Sequence, residues 1–145
     1  MRVTVLNGPN LNLLGTREPH IYGTTTLAQL EALVREEAHR LGASIHFIQT
    51  NHEGVLVDEI QRLPGTADGL ILNAAAYSHS SLAIRDALLA VQIPFVEVHL
   101  TDVTARDEAR RRLVFADLAV ALITGEGPEG YRHALRVLLE RHRGS

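Results

Sequence analysis

Five times along this chain a short apolar run gives way to a stretch whose apolar residues recur every three to four positions, and that alternation leaves few architectures open. Val3 to Leu6 reads as a short buried strand, followed by a long polar loop from Asn7 to Thr24. Leu27, Leu30, Leu33, Val34, Ala38 and Leu41 then mark a helix that Thr25 or Thr26 can cap and Gly42 ends. Ser44 to Thr50 reads as a strand, and Glu53 to Leu63 as a helix stopped by Pro64-Gly65. Gly69 to Asn73 is apolar almost throughout, as expected of a strand covered on both sides. A helix capped by Ser80 or Ser81 runs to about Val91, and Pro94 to Leu100 makes a fourth strand. Thr104 to about Arg112 reads as a short charged helix, Leu118 to Thr124 as a fifth strand, and Pro128 suits the first turn of a last helix ending near His142. The pattern predicts an α/β fold: a flavodoxin-like, doubly wound, five-stranded parallel sheet of order 2-1-3-4-5 with helices on both faces. At 145 residues without repeat or linker, residues 1–145 read as a single domain.

What is missing narrows the chemistry. The chain has no cysteine, which excludes disulfides, thiolate catalysis and cysteine metal sites. All 14 basic residues are arginine. Without lysine there is no Schiff base to a carbonyl substrate, no P-loop lysine and no lysine-bound pyridoxal phosphate. A net charge of -3 gives no reason to expect nucleic acid as a partner. No apolar run is long enough to cross a membrane, and Arg2 to Leu6 enters a strand pattern rather than a secretory signal, so the expected location is cytoplasmic.

Ligands of such sheets bind beyond the carboxyl ends of the strands, so the strand exits carry the functional information. The first strand exits into Asn7-Gly8-Pro9-Asn10, the third into Asn73 and then Tyr77, Ser78 and His79, and the fourth ends on Glu97 and His99. Glu and His two apart on a buried strand point to one side and need partners. Taken singly, each has a plainer explanation. Asn7 and Asn10 suit a turn, Ser78 to Ser81 suit a helix cap, and a lone histidine such as His99 is more often a satisfied core residue. Three strand exits converging on amides, imidazoles and a carboxylate favour a polar pocket.

The first loop places Arg17 and Tyr22 between Gly15 and Gly23, and a loop this long in a compact domain, at about residues 15–24, is often a lid. Ionising a free tyrosine at neutral pH costs roughly 4 kcal/mol, much of which a close guanidinium can offset. By spacing alone, an exposed tyrosine and a solvated arginine fit better. Arg106 and Arg110, four apart, would share a helix face near the fourth strand exit, where they could grip an anionic or polyhydroxylated ligand or merely extend a solvated arginine-rich face.

Read together, Leu6-Asn7-Gly8-Pro9-Asn10-Leu11, Arg17-Glu18-Pro19 with Tyr22-Gly23, Leu72-Asn73-Ala74 before His79, Ile84-Arg85-Asp86-Ala87, Glu97-Val98-His99-Leu100 and Gly130-Tyr131 before Ala134-Leu135 resemble the type II 3-dehydroquinate dehydratases. The resemblance runs from Leu6 to about Leu135. It implies anti elimination of water from 3-dehydroquinate through an enolate, giving 3-dehydroshikimate, with no cofactor and no metal. It further implies that Tyr22 is the base, favoured by Arg17, and that Asn10 holds a water against the enolate oxygen. His99 would be the general acid oriented by Glu97, and Asn73, His79 and Arg110 would hold the substrate hydroxyls. The backbone near Leu100 and Thr101 would receive the carboxylate, and Asp86 would enter a neighbouring subunit's site in a homo-oligomer, a dodecamer of trimers. The chain departs from the family pattern at Ala75 and Ala76, where glycine is frequent, at Asp102 (usually asparagine), at Thr104 (usually histidine) and at Ala109 (usually aromatic).

Three other functions fit less well. A flavin carrier wants aromatic residues to sandwich its ring, and aromatics are only 4% with no Trp. A receiver domain needs an aspartate after the third strand and a lysine after the fifth, where this chain has Asn73 and no lysine at all. A metal hydrolase built on His79, His99 and Glu97 lacks the usual ligand spacing.

Overall fold

The computed structural model describes residues 1–16 and 18–144. Arg17 lies outside the described residues.

Five parallel strands form one sheet: β1 Arg2–Asn7, β2 Ser44–Gln49, β3 Gly69–Asn73, β4 Phe95–His99 and β5 Ala121–Thr124, in the order β2-β1-β3-β4-β5. This is the expected order. The apolar β3 is wholly buried at the centre, as is β4, while β2 and β5 are the partly exposed edges. The helices are α1 Pro19–Tyr22, α2 Leu27–Leu41, α3 Glu53–Gln61, α4 Leu82–Val91, α5 Glu108–Arg111 and α6 Glu129–Arg143. Strand alternation splits the core in two. Val3, Val5, Ile71, Val96 and Val98 pack beneath α2 and α6, against Leu30, Val34, Tyr131 and Leu135. Leu6, Leu70, Leu72 and Phe95 pack beneath α3 and α4, against Leu56, Ile60, Ile84 and Leu88. Each such fully buried side chain contributes about 1.5–3 kcal/mol relative to exposure. Among the described residues, no helix is long and apolar enough to cross a membrane.

The long helices begin and end where local chemistry dictates. Thr26 caps α2 in a capping box: its side chain accepts from the Gln29 amide at 3.1 Å, and the Gln29 side chain accepts from the Thr26 amide at 2.9 Å. Gly42 closes the helix at a φ of 78°. Ser81 caps α4 by accepting from the Ile84 amide at 3.0 Å. Glu37, buried on α2, accepts from Arg40 Nε at 2.7 Å and from Arg136 Nη2 at 2.6 Å, tying α2 to α6. Burial alone would raise its carboxyl, but the bonds to Arg40 and Arg136 outweigh that and hold it below the usual carboxylate range.

Several expected boundaries move. The first loop is not irregular throughout, because it contains a 3-10 turn at Leu11–Leu13 and the four-residue α1, and Leu11 and Leu14 are buried. The charged segment after β4 is not one helix from Thr104 to Arg112. Arg106 adopts an extended backbone, so a 3-10 turn at Val103–Ala105 is separated from α5. The fifth strand starts at Ala121 rather than Leu118, which instead ends a 3-10 turn at Ala116–Leu118.

Candidate active site

The exits of β1 and β3 are pressed together by a glycine. Gly8 donates its amide to Asn73 O at 2.8 Å, and a Cβ on Gly8 would stand 2.4 Å from Ala74 O. No other residue fits that approach, which brings Asn10 and Asn73 to one cleft. Asn10 takes a left-handed φ of 69°, a conformation that Asn tolerates better than most residues, with its amide donating to Asn51 Oδ1 at 3.0 Å. The neighbouring Gln49 amide donates to Gly8 O at 3.1 Å and fixes the same turn.

The cleft lies at the carboxyl ends of β1, β3 and β4. Pro9, Asn10, Leu11, Tyr22, Asn73, Ala75, Ala76, His79, His99, Leu100, Val103, Arg106 and Arg110 line it. The chain thus brings together Asn10, Tyr22, Asn73, His79, His99, Leu100 and Arg110 from the residues singled out in the sequence. Thr101 does not line the cleft, although its Oγ1 accepts from Arg106 Nη1 at 3.5 Å. Glu97 sits behind it, fully buried. Asp86 stands outside it, on the exposed face of α4 together with Leu82 and Leu89.

Hydrogen bonds fix how the polar groups are presented. His99 Nε2 lies 2.6 Å from Glu97 Oε2. A carboxylate accepts, so Nε2 carries the proton and Nδ1 remains for a ligand. His79 Nδ1 lies 2.9 Å from the carbonyl oxygen of Arg112. A carbonyl only accepts, so Nδ1–H donates and Nε2 is left with a lone pair. The two rings stack with centroids 6.1 Å apart. Asn73 donates Nδ2–H to Tyr131 Oη at 2.9 Å and accepts from the Ala75 amide at 3.2 Å, leaving a second N–H for the cleft. Tyr131 donates in turn to Asn7 Oδ1 at 2.7 Å, and Asn7 Nδ2 donates to Ile48 O at 3.0 Å. Asn7 is therefore a buried strut under the cleft, and its place in the sequence motif reflects architecture rather than ligand contact.

Among the described residues, two arginines reach the cleft. The Arg106 guanidinium lies over the Tyr22 ring, 5.5 Å from its centroid. Arg110 donates to Asp107 Oδ2 at 2.7 Å, and this hydrogen bond holds the Asp107 carboxyl below its ordinary range. Arg106 and Arg110 converge although they do not share a helix. Tyr131 under Asn73 is the group that the sequence left without a role, and the sequence offered Arg106 as a ligand grip without its place over the tyrosine. The departures at Asp102 and Thr104 answer each other. Asp102 Oδ1 accepts from the Thr104 amide at 3.0 Å and hydroxyl at 2.7 Å, which lowers its carboxyl and commits it to the turn. Among the described residues, no group of three His, Cys, Asp or Glu side chains is arranged to hold a metal ion.

An imidazole backed by a carboxylate, a phenol beneath a guanidinium and an amide fixed by a buried partner are groups able to transfer protons, gathered at the strand exits of a doubly wound sheet. A family model described as "Dehydroquinase class II" matches residues 1–139. A 3-dehydroquinate dehydratase of Bordetella pertussis is 56% identical over 138 residues, 93% of this chain and 94% of that protein. A catabolic 3-dehydroquinase 1 of Aspergillus terreus is 53% identical over 133 residues, 92% of this chain and 88% of that protein. The solved type II dehydroquinase of Butyrivibrio crossotus superposes with a TM-score of 0.94 at 39% identity, covering 96% of this chain and 97% of the other. The chain belongs to the class II dehydroquinase family, the type II 3-dehydroquinate dehydratases.

Proposed function

We propose that this protein catalyses the anti elimination of water from 3-dehydroquinate to 3-dehydroshikimate through an enolate, without cofactor or metal, as one catalytic unit with a lid at about residues 15–24. The observation that carries this reading is the cleft itself. Among the described residues, segments far apart in the chain deliver a phenol, two imidazoles, two amides and two guanidiniums to one strand-exit pocket. Tyr22 takes the proton next to the ketone, and guanidiniums stabilise the negative charge that develops on its oxygen. Arg106 stands over the ring, and family resemblance assigns a second such role to Arg17. The electron pair moves into the carbonyl, giving an enolate whose oxygen faces Asn10 and a water that Asn10 holds. When the enolate collapses, the carbon–oxygen bond to the hydroxyl breaks and His99 supplies the proton that makes it water. Glu97 orients the imidazole from behind.

Asn73, His79 and Arg110 bind the substrate hydroxyls, and the backbone at Leu100 and Thr101 receives its carboxylate. The fixed tautomer of His79 and the anchored Asn73 amide suit that task, because groups already oriented lose little entropy on binding. The protein works in the cytoplasm as a homo-oligomer, a dodecamer of trimers, in which Asp86 reaches a neighbouring site. The apolar Leu82 and Leu89, 63% and 47% exposed beside Asp86, support a packed partner on this face of α4. The test is to mix purified protein with 3-dehydroquinate and follow the absorbance of the conjugated enone. A steady rise that scales with protein supports the reading, and a flat trace overturns it.

A further inference from the structure

The carboxylate behind His99 is only half provided for. Oε2 of Glu97 accepts from His99 at 2.6 Å, whereas Oε1 is buried and has no hydrogen-bond partner. An ionised oxygen in a buried place is costly unless a donor reaches it. Ser78 shows the complementary fault. It is fully buried, and its hydroxyl, which has a proton to give, has no partner. The third buried side-chain atom in this condition among the described residues is Nε of Arg132, on α6. That helix covers the opposite face of the sheet from the one to which Leu72 and its cross-strand neighbour Glu97 turn.

The stacking of His79 on His99 brings the segments that carry Ser78 and Glu97 together. Ser78 directly precedes His79 and Glu97 lies two positions before His99, so both orphaned groups stand on the chain just before the paired imidazoles. Beside Glu97 on the sheet stand Leu72 and Leu122, and neither offers a donor. The Ser78 carbonyl accepts from the Val114 amide at 2.9 Å, which anchors its backbone while the hydroxyl takes no part in that bond.

We propose that Ser78 is a positioning residue: by rotation about its Cα–Cβ bond its hydroxyl donates to Glu97 Oε1, fixing the carboxylate and through it the imidazole of His99. This rests on the reading of His99 as the general acid. A hydroxyl on Oε1 stabilises negative charge on Glu97, and that charge favours the imidazolium that gives up its proton. The titratable and charged side chains sharing the cleft with His99 are Tyr22, His79, Arg106 and Arg110. None of them bonds to Oε1, and all remain when Ser78 is changed.

The experiment compares Ser78→Ala, Ser78→Thr and Ser78→Val with the parent protein. One readout is the pH profile of kcat on 3-dehydroquinate. The other is the titration of the nitrogen-labelled His99 imidazole in ligand-free protein. Ser78→Thr should match the parent in both. Ser78→Ala and Ser78→Val should lower kcat by about tenfold with little change in KM. They should also move the high-pH limb of the profile, and the His99 titration, to lower pH by about half a unit. Unmoved titration in Ser78→Ala overturns the proposal, even if kcat falls, because lost packing alone would slow the enzyme without touching the imidazole. If Ser78→Val does not fold, Ser78→Ala against Ser78→Thr decides. If the parent protein leaves 3-dehydroquinate untouched, the functional reading fails, while the His99 titration still decides whether Ser78 supports Glu97.

Discussion

Tyr131 on the last helix donates its hydroxyl to Asn7 at the end of the first strand, across 124 positions of sequence and 2.7 Å of space. The same oxygen accepts from Asn73, so one phenol ties together the exits of the neighbouring strands β1 and β3. Burial pushes this phenol well above the ordinary tyrosine range, which keeps it protonated and able to donate.

Tyr131→Phe leaves the Asn7 carbonyl and the Asn73 amide unsatisfied inside the protein, a loss of about 1–3 kcal/mol. At this chain length the melting temperature should fall by roughly 3 °C per kcal/mol. KM should also rise, because Asn73 loses its anchor. An unchanged melting temperature would show that the phenol is not the strut described here.

Ala75 holds a left-handed φ of 52° on the wall of the cleft, a conformation that favours glycine. A side chain there costs about 1 kcal/mol relative to an unstrained backbone. Ala75→Gly should therefore raise stability slightly, by up to about 1 kcal/mol in denaturant unfolding, and leave kcat near the parent value. Destabilisation by more than that would mean that the alanine methyl packs favourably enough to outweigh the strain.

At the other end of the sheet, Arg2 donates its backbone amide to Asp68 at 2.7 Å and its guanidinium at 3.2 Å. The side-chain bond to Arg2, helped by the backbone bond, holds the Asp68 carboxyl at about 2. The unfolded value is about 3.9. A depressed carboxyl contributes stability above its unfolded value and loses it as pH falls towards its folded one. The parent protein should thus melt higher than Asp68→Asn at pH 6, and the two curves should converge as pH drops from about 4 to about 2. A gap that stays constant across that window would contradict the ion pair's part in folding.

The sheet was legible because buried parallel strands are unbroken apolar runs, and Gly69 to Asn73 can be little else. The long helices were legible through Thr26, Gly42 and Ser81, whose capping chemistry acts within a few residues. The four-residue helix at Pro19–Tyr22 was not, because one turn cannot establish a 3.6-residue period, and the one at Glu108–Arg111 was legible only as part of a longer charged helix. Spacing placed Arg106 and Arg110 on a shared helix that the extended backbone at Arg106 interrupts, yet both arginines reach the cleft. Residue type exposed Asn10, Asn73, His79 and His99 as chemical groups. Their orientation depends on partners that sequence does not advertise: a tyrosine 58 positions from Asn73, and the backbone carbonyl of Arg112, which carries no side-chain signal.

The central claim is that the Tyr22 phenol, beneath a guanidinium and facing the same cleft as His99, removes the proton that starts the elimination. The most direct measurement is kcat of Tyr22→Phe on saturating 3-dehydroquinate, with substrate binding measured separately by calorimetry. The account predicts a fall in kcat of about a thousandfold or more, with binding retained within a few fold. Turnover close to that of the parent protein would contradict it.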